Sequence, residues 1–152
     1  ETTTKAPLSA GNIVWRTEDV MLPLRAEISE EHERAILADA NADPGQRRRA
    51  SNELAWIERC KAGNKVALSM LRVGEVSVLH MPGELFVEYQ LAAQAMRPAS
   101  PVCMAAYGEY GMGYIGLTES YPQGGYETGL YVSRTAPEVE PVLMNAMRKL
   151  LE

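Results

Sequence analysis

The chain has 152 residues, of which 46% are hydrophobic and 23% are charged, values that are ordinary for a soluble globular protein. This length suits one domain with a substantial core and is too short for two comfortable ones, so we expect a single domain over residues 1–152. The formal net charge of −5 argues against a protein that binds nucleic acid through a basic face. No apolar run approaches the roughly 20 residues that cross a bilayer, so no transmembrane segment is predicted.

The first half of the chain begins with a strand pattern and continues with two helix patterns. Residues 12–29 have the composition of strands: Val20, Leu22 and Leu24 alternate with other residues, and the interruption at Pro23 indicates an edge or a bulge. Ser29 is a suitable N-cap for a helix that continues to about Ala40. The sequence NADPG at 41–45 ends this helix. A second helix is predicted because Leu54, Ile57 and Cys60 follow Ala50 by four, seven and ten positions and so lie on one helical face.

The second half of the chain predicts a hairpin followed by a strand–helix–strand unit. Two β-rich runs within 65–83 flank the tight turn RVGE, and residues 84–96 are helical by period. Residues 102–107 read as a buried strand, and we expect them to run parallel to residues 75–81. A last helix ends the chain. The predicted fold is therefore α+β, a small mixed sheet with one hairpin and one βαβ unit, and three to four helices packed on it.

Few residues of this chain suit the common catalytic and metal-binding motifs. His32 and His80 are the two histidines, they lie in different elements, and neither has metal-motif spacing. The two cysteines, Cys60 and Cys103, form neither a disulfide framework nor a metal motif, and we expect both to be inert core thiols. The sequence GMGYIG at 111–116 spells a dinucleotide-binding pattern, but no helix pattern opens there.

Residues 107–127 raise the question of function, because they combine tyrosines with glycines on what we predict to be a loop with one short strand at 112–116. Glu84 lies where a strand ends and a helix begins, a place where α/β folds tend to bind ligands. Its alternative role is a first-turn glutamate that the helix dipole stabilises. The tyrosines are either half-buried anchors or side chains whose hydroxyls are held at a site. From the residues alone, a candidate polar site consists of Glu84, Tyr114, Tyr121 and Tyr126.

Two segments of the chain resemble the neutral/alkaline non-lysosomal ceramidase-like family. They are HMPGE at 80–84 and GYIGLTESYPQGGYE at 113–127, and the resemblance covers about residues 75–152. The spacing of Tyr114, Tyr121 and Tyr126 matches the family segment, as does Glu127. The chain departs from the family at Gly116 and Leu117, where the ceramidases have two threonines.

The resemblance implies zinc-dependent hydrolysis of an N-acyl amide such as ceramide, with an N-acyl amide or lipid-like compound as substrate. It makes Glu84 and Tyr114 metal ligands, Tyr126 a catalytic residue near the scissile amide, and Tyr121 a substrate-binding residue. The family's other zinc ligands are two histidines from its N-terminal half, which neither His32 nor His80 matches. We therefore expect this chain to be the C-terminal half of a larger catalytic domain, inactive alone, with the missing N-terminal half as its partner. The family also implies export, to the periplasm or the exterior.

Two other functions stay open at this stage. The chain could be a non-catalytic binding or assembly module with a ceramidase-like fold, in which the tyrosine loop is the interaction surface. A weaker possibility is binding of carbohydrate or cell envelope through the same tyrosines. We expect Tyr107 and Tyr110 to be packing residues in any of these cases.

Overall fold

The computed structural model describes Lys5, residues 7–108 and residues 113–152. These residues form an α+β fold with a mixed four-stranded sheet, a second sheet of two short parallel strands, and five α-helices. The strands are β1 (Ile13–Val20), β2 (Val66–Val73), β3 (Val76–Pro82), β4 (Glu84–Leu85), β5 (Val102–Gly108) and β6 (Tyr114–Ile115). The helices are α1 (Glu30–Ala38), α2 (Pro44–Lys61), α3 (Val87–Met96), α4 (Ser120–Gln123) and α5 (Val139–Leu151).

The helices begin where side-chain caps allow it. Ser29 caps α1 as predicted, since its hydroxyl accepts a hydrogen bond of 3.3 Å from the backbone N–H of His32. Asp43 caps α2 by accepting from two backbone N–H groups, so the predicted break at 41–45 is also the start of that helix. The short α4 was not predicted, which brings the described helices to five instead of three to four. Within the described ranges, no helix has both the length and the apolar character that a membrane crossing requires.

The main sheet has the strand order β1-β2-β3-β5. The predicted hairpin is confirmed: β2 and β3 are antiparallel and are joined by a turn at Gly74, whose φ of +61° favours glycine. The predicted βαβ unit is also confirmed, since β3 and β5 are parallel and α3 connects them. A register shift between His80 and Pro82 bends the end of β3.

One face of the sheet forms the core of the molecule. Leu68, Met70 and Leu79 project from the sheet and are fully buried, and Leu143 and Met147 of α5 are buried with them. Burial of each such side chain contributes about 1.5–3 kcal/mol, so this contact between sheet and helix contributes substantially to stability.

The opposite face of the sheet carries apolar side chains and is open among the described residues. Trp15, Leu71, Val78 and Cys103 are partners across four strands and therefore lie in one row on this open face. Trp15 is 57% exposed, and Cys103 is exposed as well. The prediction that Cys103 is a core thiol is thus wrong, because the neighbouring Val102 occupies the core face and successive strand residues alternate.

A buried ion pair fixes the segment that precedes α5. Arg134 donates from Nε to both carboxylate oxygens of Glu53 in α2, at 2.9 and 3.1 Å, and the Glu53 side chain is only 3% exposed. Burial raises the pKa of Glu53 above its ordinary value, and the guanidinium of Arg134 opposes that rise. The segment is tied further by the N–H of Ala136, which donates to the carbonyl of Pro23 at 2.9 Å. The segment before α5 is therefore held in place where it contacts β6.

Candidate functional site

The site forms where the end of β3 meets the tyrosine-rich segment. After β3 the chain turns at Gly83, and β4 then pairs in parallel with β6, which places Glu84 directly opposite Tyr114. The N–H of Glu84 donates to the carbonyl of Gly113 at 2.8 Å, and the N–H of Phe86 donates to the carbonyl of Ile115 at 3.1 Å. Since paired residues project to the same side, the carboxylate and the phenol share one surface.

Two glycines make this close approach possible. Gly83 has φ of +62° and Gly113 has φ of +73°, both in the left-handed region. A Cβ atom on Gly83 would lie 2.6 Å from the carbonyl oxygen of Gly113, and one on Gly113 would lie 2.0 Å from that of Val132. The N–H of Tyr114 donates to the same Val132 carbonyl at 2.8 Å. Glycine is therefore required at both positions by space as well as by backbone angle.

Glu84 affects the pKa of two neighbouring phenols. Interaction with its carboxylate, followed by desolvation, raises the pKa of Tyr107 and of Tyr114 above the ordinary phenol value. Both phenols are therefore protonated at neutral pH.

Tyr126 joins this group through its ring. The rings of Tyr114 and Tyr126 meet edge to face, with centroids 6.0 Å apart and an interplanar angle of 74°. Tyr126 is 69% exposed, so its side chain is accessible from solvent. The structure thus brings together three of the four residues that the sequence singled out, namely Glu84, Tyr114 and Tyr126.

Tyr121 has a different environment from the other predicted site residues. Its hydroxyl lies 3.1 Å from the hydroxyl of Thr135 and accepts a hydrogen bond of 3.5 Å from Ser133. The guanidinium of Arg25 lies over its ring, 5.4 Å from the centroid. Tyr121 is therefore half-buried among partners of its own.

Tyr107 is the residue of this site that the sequence reasoning missed. It was predicted to be a packing residue, but it is 69% exposed, and its N–H donates to the carbonyl of Gly83, the residue before Glu84. Its position could have signalled this role, because it ends a strand parallel to the strand that leads to Glu84, and adjacent parallel strands bring their carboxyl ends to one edge. Tyr110 and the first two residues of GMGYIG lie outside the described residues, as does the start of the strand predicted at 112–116.

The oxygen atoms of Glu84 and Tyr114 supply only part of the ligands that a zinc ion requires. Carboxylate and phenol oxygens are acceptable ligands, and Glu84 and Tyr114 are adjacent. A catalytic zinc site, however, uses three protein ligands with an open position for water. No group of three or more His, Cys, Asp or Glu side chains suited to a metal exists in the part of the chain that the structure describes. These residues therefore fit part of a zinc shell and do not complete one, and we assign no reaction step to zinc in this chain.

Comparison with solved structures shows that this chain has a fold similar to part of neutral ceramidase. Neutral ceramidase from Pseudomonas aeruginosa superimposes with a TM-score of 0.52 at 17% sequence identity, over 91% of this chain and 28% of that chain. A ceramidase complexed with C2 is 20% identical over 57% of this chain and 14% of that chain, with a TM-score of 0.49. No protein-family model and no curated protein matches the chain. The chain shares the fold of part of neutral ceramidase and spans little more than a quarter of that protein's length.

We expect Gly113→Ala to destabilise the protein much more than Gly63→Ala. Both glycines have a left-handed backbone, but a Cβ on Gly63 would meet nothing within 4 Å. Gly63→Ala should therefore lower the free energy of unfolding by only roughly 1–2 kcal/mol, the cost of placing alanine in a left-handed conformation. Gly113→Ala should lower the free energy of unfolding by about 1–3 kcal/mol more, because the carbonyl of Val132 must move. Urea denaturation of the two variants measures the difference, and equal losses would contradict the close approach at Gly113.

Proposed function

We propose that this chain is the C-terminal part of the catalytic domain of a zinc-dependent hydrolase that acts on an N-acyl amide, as neutral ceramidase-like proteins do. The observation that carries the proposal is the β4–β6 register, which sets Glu84 opposite Tyr114. The shared fold with part of neutral ceramidase supports it. Because the described residues supply only two adjacent oxygen donors, we propose that the chain is inactive by itself and that histidines from the N-terminal half complete the site.

Each predicted site residue has a role in this proposal. Glu84 and Tyr114 would hold zinc, which when bound supplies Lewis-acid activation of water and of the amide carbonyl. Tyr126 would donate its phenol proton in a hydrogen bond to the oxygen that gains negative charge, and its exposure and its contact with Tyr114 suit that role. Tyr121 would contact the substrate through its ring, since its hydroxyl is already engaged by Thr135.

The N-terminal half of the same catalytic domain is the proposed partner of the open face. This face exposes Trp15 and carries two side-chain atoms that are buried without a hydrogen-bond partner among the described residues, Oγ of Ser69 and Nδ1 of His80. Ser69 and His80 are paired across β2 and β3, so both atoms belong to the same face. The exposed Trp15 and Cys103 are the features of this face that suit a covering segment.

A second candidate function is a non-catalytic module, and one observation favours it. Where the ceramidases have two threonines, Gly116 is enclosed: a Cβ there would lie 3.3 Å from Cβ of Ser120 and 3.5 Å from the Phe86 ring. The hydroxyl of Tyr89 also donates to the Gly116 carbonyl at 3.0 Å. Gly116 therefore has a packing role, and a binding or assembly module would require only such a role at this position.

The zinc content of the gene-encoded protein, which includes any residues that flank this sequence, separates the two candidates. We expect about one zinc ion per molecule by mass spectrometry, as a catalytic site requires. Glu84→Gln should lose that zinc, because a neutral amide is a poor zinc ligand. Glu88→Gln is the matched control, since Glu88 is an exposed glutamate of the first turn of α3. Metal-free wild-type protein, or equal zinc content in the two variants, would favour the non-catalytic module.

Alkylation of Cys103 in the gene-encoded protein tests the covered face. Cys103 lies in the same row of the open face as Trp15, and its thiol is exposed in this chain. We expect the native protein to react with iodoacetamide at Cys103 far more slowly than the urea-unfolded protein does, because the N-terminal half covers the row. Peptide mass spectrometry distinguishes this thiol from Cys60. Native and unfolded rates that agree would mean that the face is open and would contradict the proposed contact.

A further inference from the structure

A cavity of about 220 Å³ lies beside the turn between β2 and β3. Its lining comes from three parts of the chain that are distant in sequence: the segment that enters β1, the end of β2 with the turn that follows it, and the residue after α3. Cavities that hold drug-sized ligands usually have about 300–1,000 Å³, so this smaller cavity suits a single small group.

Two half-buried arginines, Arg72 and Arg97, line this cavity. Arg72 belongs to β2 and is paired with Ser77 of β3, on the face of the sheet that carries the buried Leu79. Nη1 of Arg97, at the end of α3, donates to the fully buried hydroxyl of Ser77 at 3.5 Å. The β2–β3 register and the bond to Ser77 therefore bring both guanidiniums to the same cavity.

The positive charge of this cavity is not balanced by ion pairs. Neither Arg72 nor Arg97 forms one within the described ranges, and arginine stays protonated in proteins. The carboxylate of the lining belongs to Glu75, which is exposed and accepts a hydrogen bond of 3.4 Å from the hydroxyl of Ser100. Two like charges at one small cavity repel each other, so a bound anion would stabilise both guanidiniums.

Asn12 adds an uncharged hydrogen-bond donor to the lining. Its side-chain oxygen accepts from the backbone N–H of Ser9 at 3.0 Å and from the Ser9 hydroxyl at 2.9 Å. The amide nitrogen of Asn12 has no acceptor among the residues that the structure describes, so it can donate to a ligand. The cavity thus presents donors from all three parts of the chain that form it.

We propose that this cavity binds a phosphate group, either free phosphate or the phosphomonoester of a larger molecule. A phosphate group has oxygen atoms on several sides and can accept from all three donor side chains, whereas a carboxylate has two oxygens in one plane. A phosphomonoester carries about −1.5 to −2 charges at neutral pH, which matches two arginines. The inference does not depend on the proposed function, because the cavity lies before β3 and Glu84 lies after it.

The first test is a titration of the gene-encoded protein with inorganic phosphate, at constant ionic strength set with chloride. The guanidinium N–H resonances of Arg97 are followed by NMR and should shift to saturation. Arg72→Gln should weaken phosphate binding by about 10–100-fold, because hydrogen bonds between charged groups are strong. The matched control is Arg48→Gln, which removes an exposed arginine of α2 and should keep the wild-type affinity. Wild-type affinity in Arg72→Gln would overturn the inference.

A second variant, Glu75→Gln, tests the same site in the opposite direction. Glu75 is an exposed residue of the turn, so this change should leave the fold intact. Removal of its carboxylate from the lining should tighten phosphate binding by about 2–5-fold. Glu84→Gln should bind phosphate as wild type does, since Glu84 lies beyond the other end of β3. Unchanged or weaker binding in Glu75→Gln would contradict an anion at this cavity.

The source of the phosphate group is determined with lipid vesicles. Vesicles of equimolar phosphatidylcholine and phosphatidic acid present a phosphomonoester at a membrane surface, and sedimentation measures the protein that they bind. Binding that Arg72→Gln abolishes would support a lipid headgroup as the ligand. Saturable binding of inorganic phosphate without vesicle binding would support a soluble ligand. A wild-type protein that binds neither probe would overturn the inference.

Discussion

The site depends on the close backbone contact between Gly83 and Gly113. The N–H of Glu84 and the carbonyl of Gly113 can bond at 2.8 Å only because Gly83 has no Cβ, which would lie 2.6 Å from that carbonyl oxygen. That contact sets the β4–β6 register, and the register sets Glu84 opposite Tyr114. The same segment receives the N–H of Tyr107 through Gly83. The segment at Gly83 and Glu84 is thus joined by backbone hydrogen bonds to both Tyr107 and Gly113.

The rest of the fold holds these segments in place. Sheet and α5 bury a continuous apolar core, which fixes β3 and β5 as neighbours and brings their carboxyl ends to one edge. The Glu53–Arg134 ion pair anchors the segment whose Val132 carbonyl accepts from Tyr114. Breaking such a buried pair is costly because it leaves a buried charge without a partner. The opposite face of the sheet remains open in the described residues.

Local patterns predicted the elements well, because hydrophobic period and capping act over a few residues. The hairpin at Gly74, the βαβ unit and the Ser29 cap are examples. Sequence could not show that Cys103 faces outward, since a shift of one residue exchanges the two faces of a strand. It also missed Tyr107, whose positive φ goes with a tertiary contact, the hydrogen bond from its N–H to the carbonyl of Gly83. The residues alone suggested a site of Glu84, Tyr114, Tyr121 and Tyr126, the family resemblance supplied their chemical roles, and those roles remain predictions.

The most direct test of the site is an anomalous diffraction experiment on crystals of the gene-encoded protein grown with zinc. Difference maps from data collected above and below the zinc absorption edge locate the metal without any assumption about its ligands. We expect one peak in contact with both Glu84 and Tyr114, with the carboxylate oxygen at about 2.0–2.2 Å. Absence of a peak there, or a fully occupied zinc bound by other residues, would contradict the assignment of this junction as half of a metal site.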